Sequence, residues 1–132
     1  MAIQKPTRVY KDIDLSLAKN PNTKDISKKV DVQAVKQAIK ILINTQYGEK
    51  PFAPRFGSQI RGMLFEPMGH SSARMLATVI ELAISNHEPR ARVDEVIVVP
   101  NHDLNSYDVK ILFHVVAVRD LQALEFSLER LR

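Results

Sequence analysis

A helical stripe that runs into a proline and emerges as a strand constrains this chain more than any other feature. Between Ser71 and Arg92, the residues Met75, Leu76, Val79, Ile80, Ala83 and Ile84 recur at the spacing of one helix face. Arg74, Thr78, Glu81 and Ser85 lie largely off that stripe. Ser71 or Ser72 is placed to cap the start by accepting from the orphan backbone donors of the first turn. Pro89 ends the helix, because a proline disfavours helical backbone in the residue before it and brings no N–H of its own. Val93 to Pro100 then reads as an apolar strand, so Glu88 and Arg90 stand at a fixed corner where helix gives way to strand.

The 132 residues suffice for one compact domain, and 45% apolar with 26% charged residues is an ordinary globular balance. We expect a single domain over 1–132, with an extended basic arm at 1–30, a helical part at 31–90 and a β-rich part at 91–132. No apolar run approaches the roughly 20 residues that cross a bilayer, so no membrane role is expected. Met1 to Pro6 has no apolar segment behind its lysine, which speaks against a signal peptide and for synthesis in the cytoplasm. The absence of cysteine excludes disulfides and thiolate metal sites.

The net charge of +4 is unevenly spread. Residues 1–40 hold nine Lys/Arg against four Asp, a balance of +5, and residues 41–132 hold ten against eleven acids, a balance of −1. A basic N-terminal segment can signal nucleic acid. Here Asp12, Asp14, Asp25 and Asp31 interrupt it, and only Tyr10 could stack on a base, so a solvated arm facing a protein partner is the better reading.

Along the chain, Tyr10 to Leu15 alternates as an edge strand would, and Lys19 to Thr23 is turn chemistry. Asp31 to Thr45 forms a helix with Val32, Val35, Ile39, Leu42 and Ile43 inward, Asp31 as N-cap and Gly48 as its stop. Pro51, Phe52, Pro54, Phe56 and Gly57 make a stiff loop whose two phenylalanines plug the core, with Gly57 allowing positive φ or a close chain approach. Gln59 to Phe65 is a short helix with Ile60, Met63 and Leu64 on one side. Pro100 to Ser106 is a loop, and Tyr107 to Val118 one long strand. That strand carries Val109, Ile111, Phe113, Val115 and Ala117 on one face, and Lys110, Leu112, His114, Val116 and Val118 on the other. Apolar residues on both faces, with Leu124, Phe126 and Leu128 alternating behind, suggest either burial on both sides or a strand edge that awaits a partner. The tail from Asp120 is open: Leu121, Leu124, Leu128 and Leu131 fit a helix, and Leu124, Phe126 and Leu128 fit a strand.

No site chemistry stands out. His70, His87, His102 and His114 never pair at zinc-binding spacing, and the four glycines form no phosphate loop. Glu66, Glu81, Glu88 and Glu95 qualify by type as glycosidase acids. With no Trp and three Tyr, however, a sugar-stacking cleft would be thinly furnished. The economical reading of Glu88 and Arg90 is an ion pair beside a helix stop.

Taken in order, Tyr10-Lys11-Asp12-Ile13-Asp14, Lys50-Pro51-Phe52-Ala53-Pro54-Arg55-Phe56-Gly57, Leu64-Phe65-Glu66-Pro67 and Asn86-His87-Glu88-Pro89-Arg90 resemble a known family. It is the small baseplate wedge protein family of contractile phage tails, of T-even type, with a relative in type VI secretion baseplates. The resemblance covers nearly the whole chain. It implies an α+β fold, with N-terminal and central helices packed on a small C-terminal β-sheet, and a tail that is a strand. It implies a structural role without catalysis, cofactor, metal or small-molecule substrate. Glu88, Pro89 and Arg90 would contact the core bundle of the other wedge proteins, and the C-terminal strands, with Leu124, Phe126 and Leu128, would face the tail sheath protein and seed its polymerisation. The site of action would be the virion baseplate or that of a secretion machine. The loop at 100–106 matches no motif of the family. The alternatives are a cell-wall-degrading tail lysozyme, a label the family also carries, and an adaptor on the same fold.

Overall fold

The computed structural model describes residues 10–116 and 118–130, with Arg119 described by its backbone alone. Ala117, Leu131 and the first nine residues, on which some of the expectations above fall, lie outside the described residues. The elements are β1 (Lys11–Ile13), β2 (Lys28–Val30), α1 (Val32–Asn44), α2 (Ile60–Met63), α3 (His70–His87), β3 (Ala91–Asn101), β4 (Ser106–Val115) and β5 (Val118–Glu129). The fold is α+β. β1 and β2 pair as a small antiparallel ribbon, and β3, β4 and β5 form an antiparallel sheet in that order, with β4 central. No helix among the described residues is long and apolar enough to cross a membrane.

The three helices cover one face of the large sheet. Val35, Ile39 and Leu42 of α1, Ile60 of α2, and Leu76, Ile80 and Ile84 of α3 meet Tyr107, Val109, Ile111, Phe113 and Val115 of β4. The register places Val109 between Val98 and Phe126, and Ile111 between Val96 and Leu124, so one alternating set from each strand lines the core. The other face is mixed and solvated: Lys110 pairs with Glu125 across the strands at 2.9 Å, and His114 meets Asp94.

Several local expectations change. Met75 is 53% exposed and Ala73 is buried in its place. At 100° per residue Met75 lies more than a quarter turn from the line through Leu76, Ile80 and Ala83. Neither Ser71 nor Ser72 caps α3: Gly69 holds that position, and the Ser72 hydroxyl instead donates to the Pro67 carbonyl at 2.8 Å. Asp31 does precede α1, but without a side-chain cap; its carboxylate accepts from the Tyr10 N–H at 3.3 Å and ties the helix start to β1. Helix α1 ends at Asn44 with Thr45 as C-cap, so Gly48 is no helix stop. It turns the next loop at φ +82°, with its N–H on Pro54 O.

Of the two loop phenylalanines only Phe56 packs against the core; Phe52 is fully exposed, at 106%, and has φ +63°. Gly57 behaves as expected, at φ +127° and so close to Thr45 and Gln46 that a Cβ would lie 2.7 Å from Thr45 O. The loop at 100–106 shrinks to His102–Asn105, because Pro100 and Asn101 remain in β3 and Ser106 begins β4. Tyr107 to Val118 is not one strand and not an edge: β4 stops at Val115 and the chain turns at Val116. The tail is a strand, β5, because pairing with β4 seats Leu124, Phe126 and Leu128 opposite Ile111, Val109 and Tyr107, which a helix at the same place could not do.

Candidate docking surfaces

Helix α3, the proline and the first residue of β3 build the corner. The Glu88 N–H completes the helix on Ile84 O at 2.8 Å, and the Ala91 N–H donates to Glu88 O at 3.2 Å, so the backbone turns within three residues. This brings Glu88 and Arg90 together as expected. Arg90 Nε and Nη2 donate to the two Glu88 oxygens at 2.7 and 2.9 Å, a bidentate pair, and the Arg90 N–H adds a contact at 3.3 Å. Glu88 is only 6% exposed.

Asp12 and Tyr10 complete the cluster, and the sequence did not place them there. Asp12 Oδ2 accepts from Arg90 Nη1 at 3.3 Å, and the guanidinium carbon lies 5.4 Å from the Tyr10 ring centroid. The hydrogen bonds to Glu88 are the main cause that raises the Arg90 pKa; partial burial opposes them, and the charges of Glu88 and Asp12 add to them. Arg90 is therefore a permanent cation clamped inside its own chain, and the clamp ties the β1–β2 ribbon to the α3–β3 junction. The only local signal for Asp12 was the alternation of Tyr10 to Leu15; nothing in sequence links it to a residue 78 positions away.

The large sheet offers the second surface. The Arg130 N–H donates to Asn105 O at 3.0 Å. Antiparallel ladders alternate between bonded and non-bonded pairs, so Tyr107–Leu128, Val109–Phe126 and Ile111–Leu124 are bonded pairs as well. Ala123, Glu125 and Ser127 then direct their backbone groups away from β4, to the outer edge. On the other side, the Val116 N–H donates to Arg90 O at 2.9 Å, and the same alternation turns Val96, Val98 and Pro100 outward along β3. A register shift between Val93 and Glu95 breaks the β3 edge, and Pro100 removes a donor from it. Neither device occurs in β5 between Leu121 and Glu129. The side chains of Leu124, Phe126 and Leu128 turn inward to the core, so a partner at this edge would meet main chain rather than those side chains.

The four candidate acids are scattered. Glu66 lines a cleft with Gln46, Tyr47 and Met63; Glu95 lines another with His70 and Arg74; Glu81 is exposed on α3; Glu88 is tied to Arg90. Among the described residues no group of three His, Cys, Asp or Glu could hold a metal ion. His87 packs edge-on against Phe56, ring centroids 5.4 Å apart, and so joins the loop of Pro51, Phe52, Phe56 and Gly57 to the end of α3.

Comparison with known proteins gives a consistent picture. The model of the family described as baseplate wedge protein gp25 matches residues 29–123. Baseplate wedge protein gp25 of Enterobacteria phage T4 is 34% identical over 109 residues, which is 83% of this chain and 82% of that protein. A protein in the cryo-EM structure of the anti-feeding prophage baseplate aligns with a TM-score of 0.63 at 22% identity, over 93% of this chain and 87% of that one. The crystal structure of a putative tail lysozyme from Geobacter sulfurreducens aligns with a TM-score of 0.69 at 19% identity, over 74% and 89%. At such identities the two solved structures show the fold alone.

Proposed function

The chain belongs to the baseplate wedge protein gp25 family, and on that premise we propose that it docks on the wedge core bundle through Glu88, Pro89 and Arg90 and seeds sheath polymerisation at the free edge of β5. It is a baseplate wedge protein of contractile tail systems. The observation that carries the proposal is the asymmetry of the sheet: β3 is blocked by a bulge and a proline, and the outward donors and acceptors of β5 meet no partner among the described residues. A strand of the tail sheath protein would satisfy them, joining two subunits by main-chain hydrogen bonds without a deep pocket.

The corner suits docking because it is pre-formed. Three of the five guanidinium N–H groups are held by Glu88 and Asp12, which fixes the direction of the others. The role is structural. Glycoside hydrolysis needs two carboxyl groups facing one bond, whereas Glu66 and Glu95 line separate clefts, Glu81 lies exposed on α3 and Glu88 is tied to Arg90. The partners are the other wedge proteins and the sheath, with no nucleic acid, membrane or small substrate. The whole of 1–132 acts as one unit, made in the host cytoplasm and assembled into the baseplate.

Ser127→Pro tests the sheath half. Its N–H belongs to the outward set, so proline removes an edge donor and leaves the β4 ladder intact. Electron microscopy of mutant particles should show complete wedges and tubes, with sheath missing at the baseplate or formed free of it. Full-length, anchored sheaths on Ser127→Pro baseplates would overturn the proposal.

A further inference from the structure

We propose that Phe52 is an anchor for a neighbouring wedge subunit, inserting its ring into an apolar socket with an acidic rim. This rests on the corner docking described above and extends that surface to the loop beside it. The Ala53 N–H donates to Lys50 O at 3.3 Å, which closes a β-turn with Pro51 and Phe52 at its centre. Proline at the first central position and φ +63° at the second define a type II turn, whose second position ordinarily takes glycine or asparagine. A phenylalanine there is strained.

Nothing among the described residues compensates. The ring is fully exposed, so the fold gains no burial from it. The same loop has a phenylalanine that does pack: Phe56, held between His87 and the Lys50 ammonium 4.4 Å from its ring. The scaffold under Phe52 is nonetheless rigid. Gly48 N–H donates to Pro54 O at 2.9 Å, Phe56 N–H donates to Ala53 O at 3.0 Å, and Pro51 has a fixed φ. A stiff turn that presents one aromatic ring at an unfavourable φ has the features of a pre-organised binding anchor, which loses little freedom when it docks.

Two observations narrow the occupant. The loop touches the corner, since Phe56 packs on His87 and His87 immediately precedes Glu88. A partner seated on Glu88–Pro89–Arg90 therefore has the loop beside it. The charge of the loop is positive: Lys50 and Arg55 are exposed against one exposed acid, Glu49, whose carboxylate accepts from the Gln46 N–H at 2.9 Å. The socket that fits is apolar with carboxylates around its mouth, and binding should weaken as salt is raised.

The test separates the ring from the fold. Phe52→Gly and Phe52→Asn both suit positive φ and remove the ring. The full-length variants should melt at the same temperature as the parent or slightly above it, yet bind purified wedge partners about tenfold or more weakly. Phe52→Tyr should retain binding. A fall in melting temperature for Phe52→Gly would show that the ring stabilises its own chain, and would overturn the inference. So would unchanged wedge binding in Phe52→Gly. In that case Arg90→Lys, which keeps the charge and breaks the bidentate fork, decides the rest. Lost binding in an Arg90→Lys chain that melts and exchanges hydrogen like the parent would leave the corner standing without Phe52, and retained binding would remove both.

Discussion

The two outer edges of the large sheet are of similar length and meet opposite fates. β3 is pinned at its start by the Glu88–Arg90 clamp, bulges between Val93 and Glu95, and near its end sets Pro100 where an outward N–H would stand. β5 has its ladder to β4, the Lys110–Glu125 pair on the solvated face and the inward packing of Leu124, Phe126 and Leu128. The difference teaches that a strand-accepting surface is recognised by what a neighbouring edge has and it lacks. Blocking devices are side-chain and backbone features that can be seen. An open edge is a row of main-chain groups common to all residues, and it becomes visible only once the hydrogen-bond alternation is known.

The sharpest way to break the comparison is to place the same proline at adjacent positions of β5. Phe126 donates inward to Val109 and packs on the core, and Ser127 faces out. Phe126→Pro removes a ladder bond, strands the Val109 carbonyl and deletes a core side chain, for a loss of roughly 4 kcal/mol. Ser127→Pro should stay within about 1 kcal/mol of the parent. Urea denaturation of both variants measures this. Equal losses would mean that the alternation assigned to β5 is wrong by one residue.

The clamp that pins β3 comes next. Arg90→Ala leaves the Glu88 carboxylate buried without its cation and frees Asp12, so the chain should lose about 3 kcal/mol. Hydrogen exchange should rise first in the β1–β2 ribbon and at Ala91, ahead of β5. A stability within experimental error of the parent would show that the clamp is no more than a surface ion pair. Because the variant is destabilised on its own, its failure to assemble would not by itself identify a docking residue.

Much of this architecture was legible in the sequence, and the failures are instructive. The α3 stripe, the stop at Pro89 and the Glu88–Arg90 pair could be read because each depends on residues within one or two turns. The same holds for Gly57, whose φ and close approach suit no other residue. The tail strand was undecided by periodicity, since its choice depends on β4 lying alongside. Asp12 was missed because its partner is distant in sequence. Phe52 was misplaced because hydrophobicity predicts burial in general, and only the turn geometry shows that this ring has nowhere to go. Of the candidate sites, the corner residues were nameable early, whereas the edge had to be found from hydrogen bonds.

The smallest expected effect on stability falls at Pro100, and it tests the comparison from the other side. If Pro100 guards β3, then Pro100→Val restores an outward donor next to those of Val96 and Val98 and opens the edge beyond the bulge. The fold should change by about 1 kcal/mol or less, since the lost restriction of the unfolded chain is offset by the strand preference of valine. The informative readout is association. The experiment belongs in a Ser127→Pro background, where the β5 edge is already closed and any new self-association must use β3. Sedimentation velocity should find the Ser127→Pro chain monomeric and the double variant forming dimers or larger species as concentration rises. A double variant that remains monomeric would show that the bulge at Val93–Glu95 protects β3 alone. The guard would then lie in the bend of the strand, and the proline would be incidental.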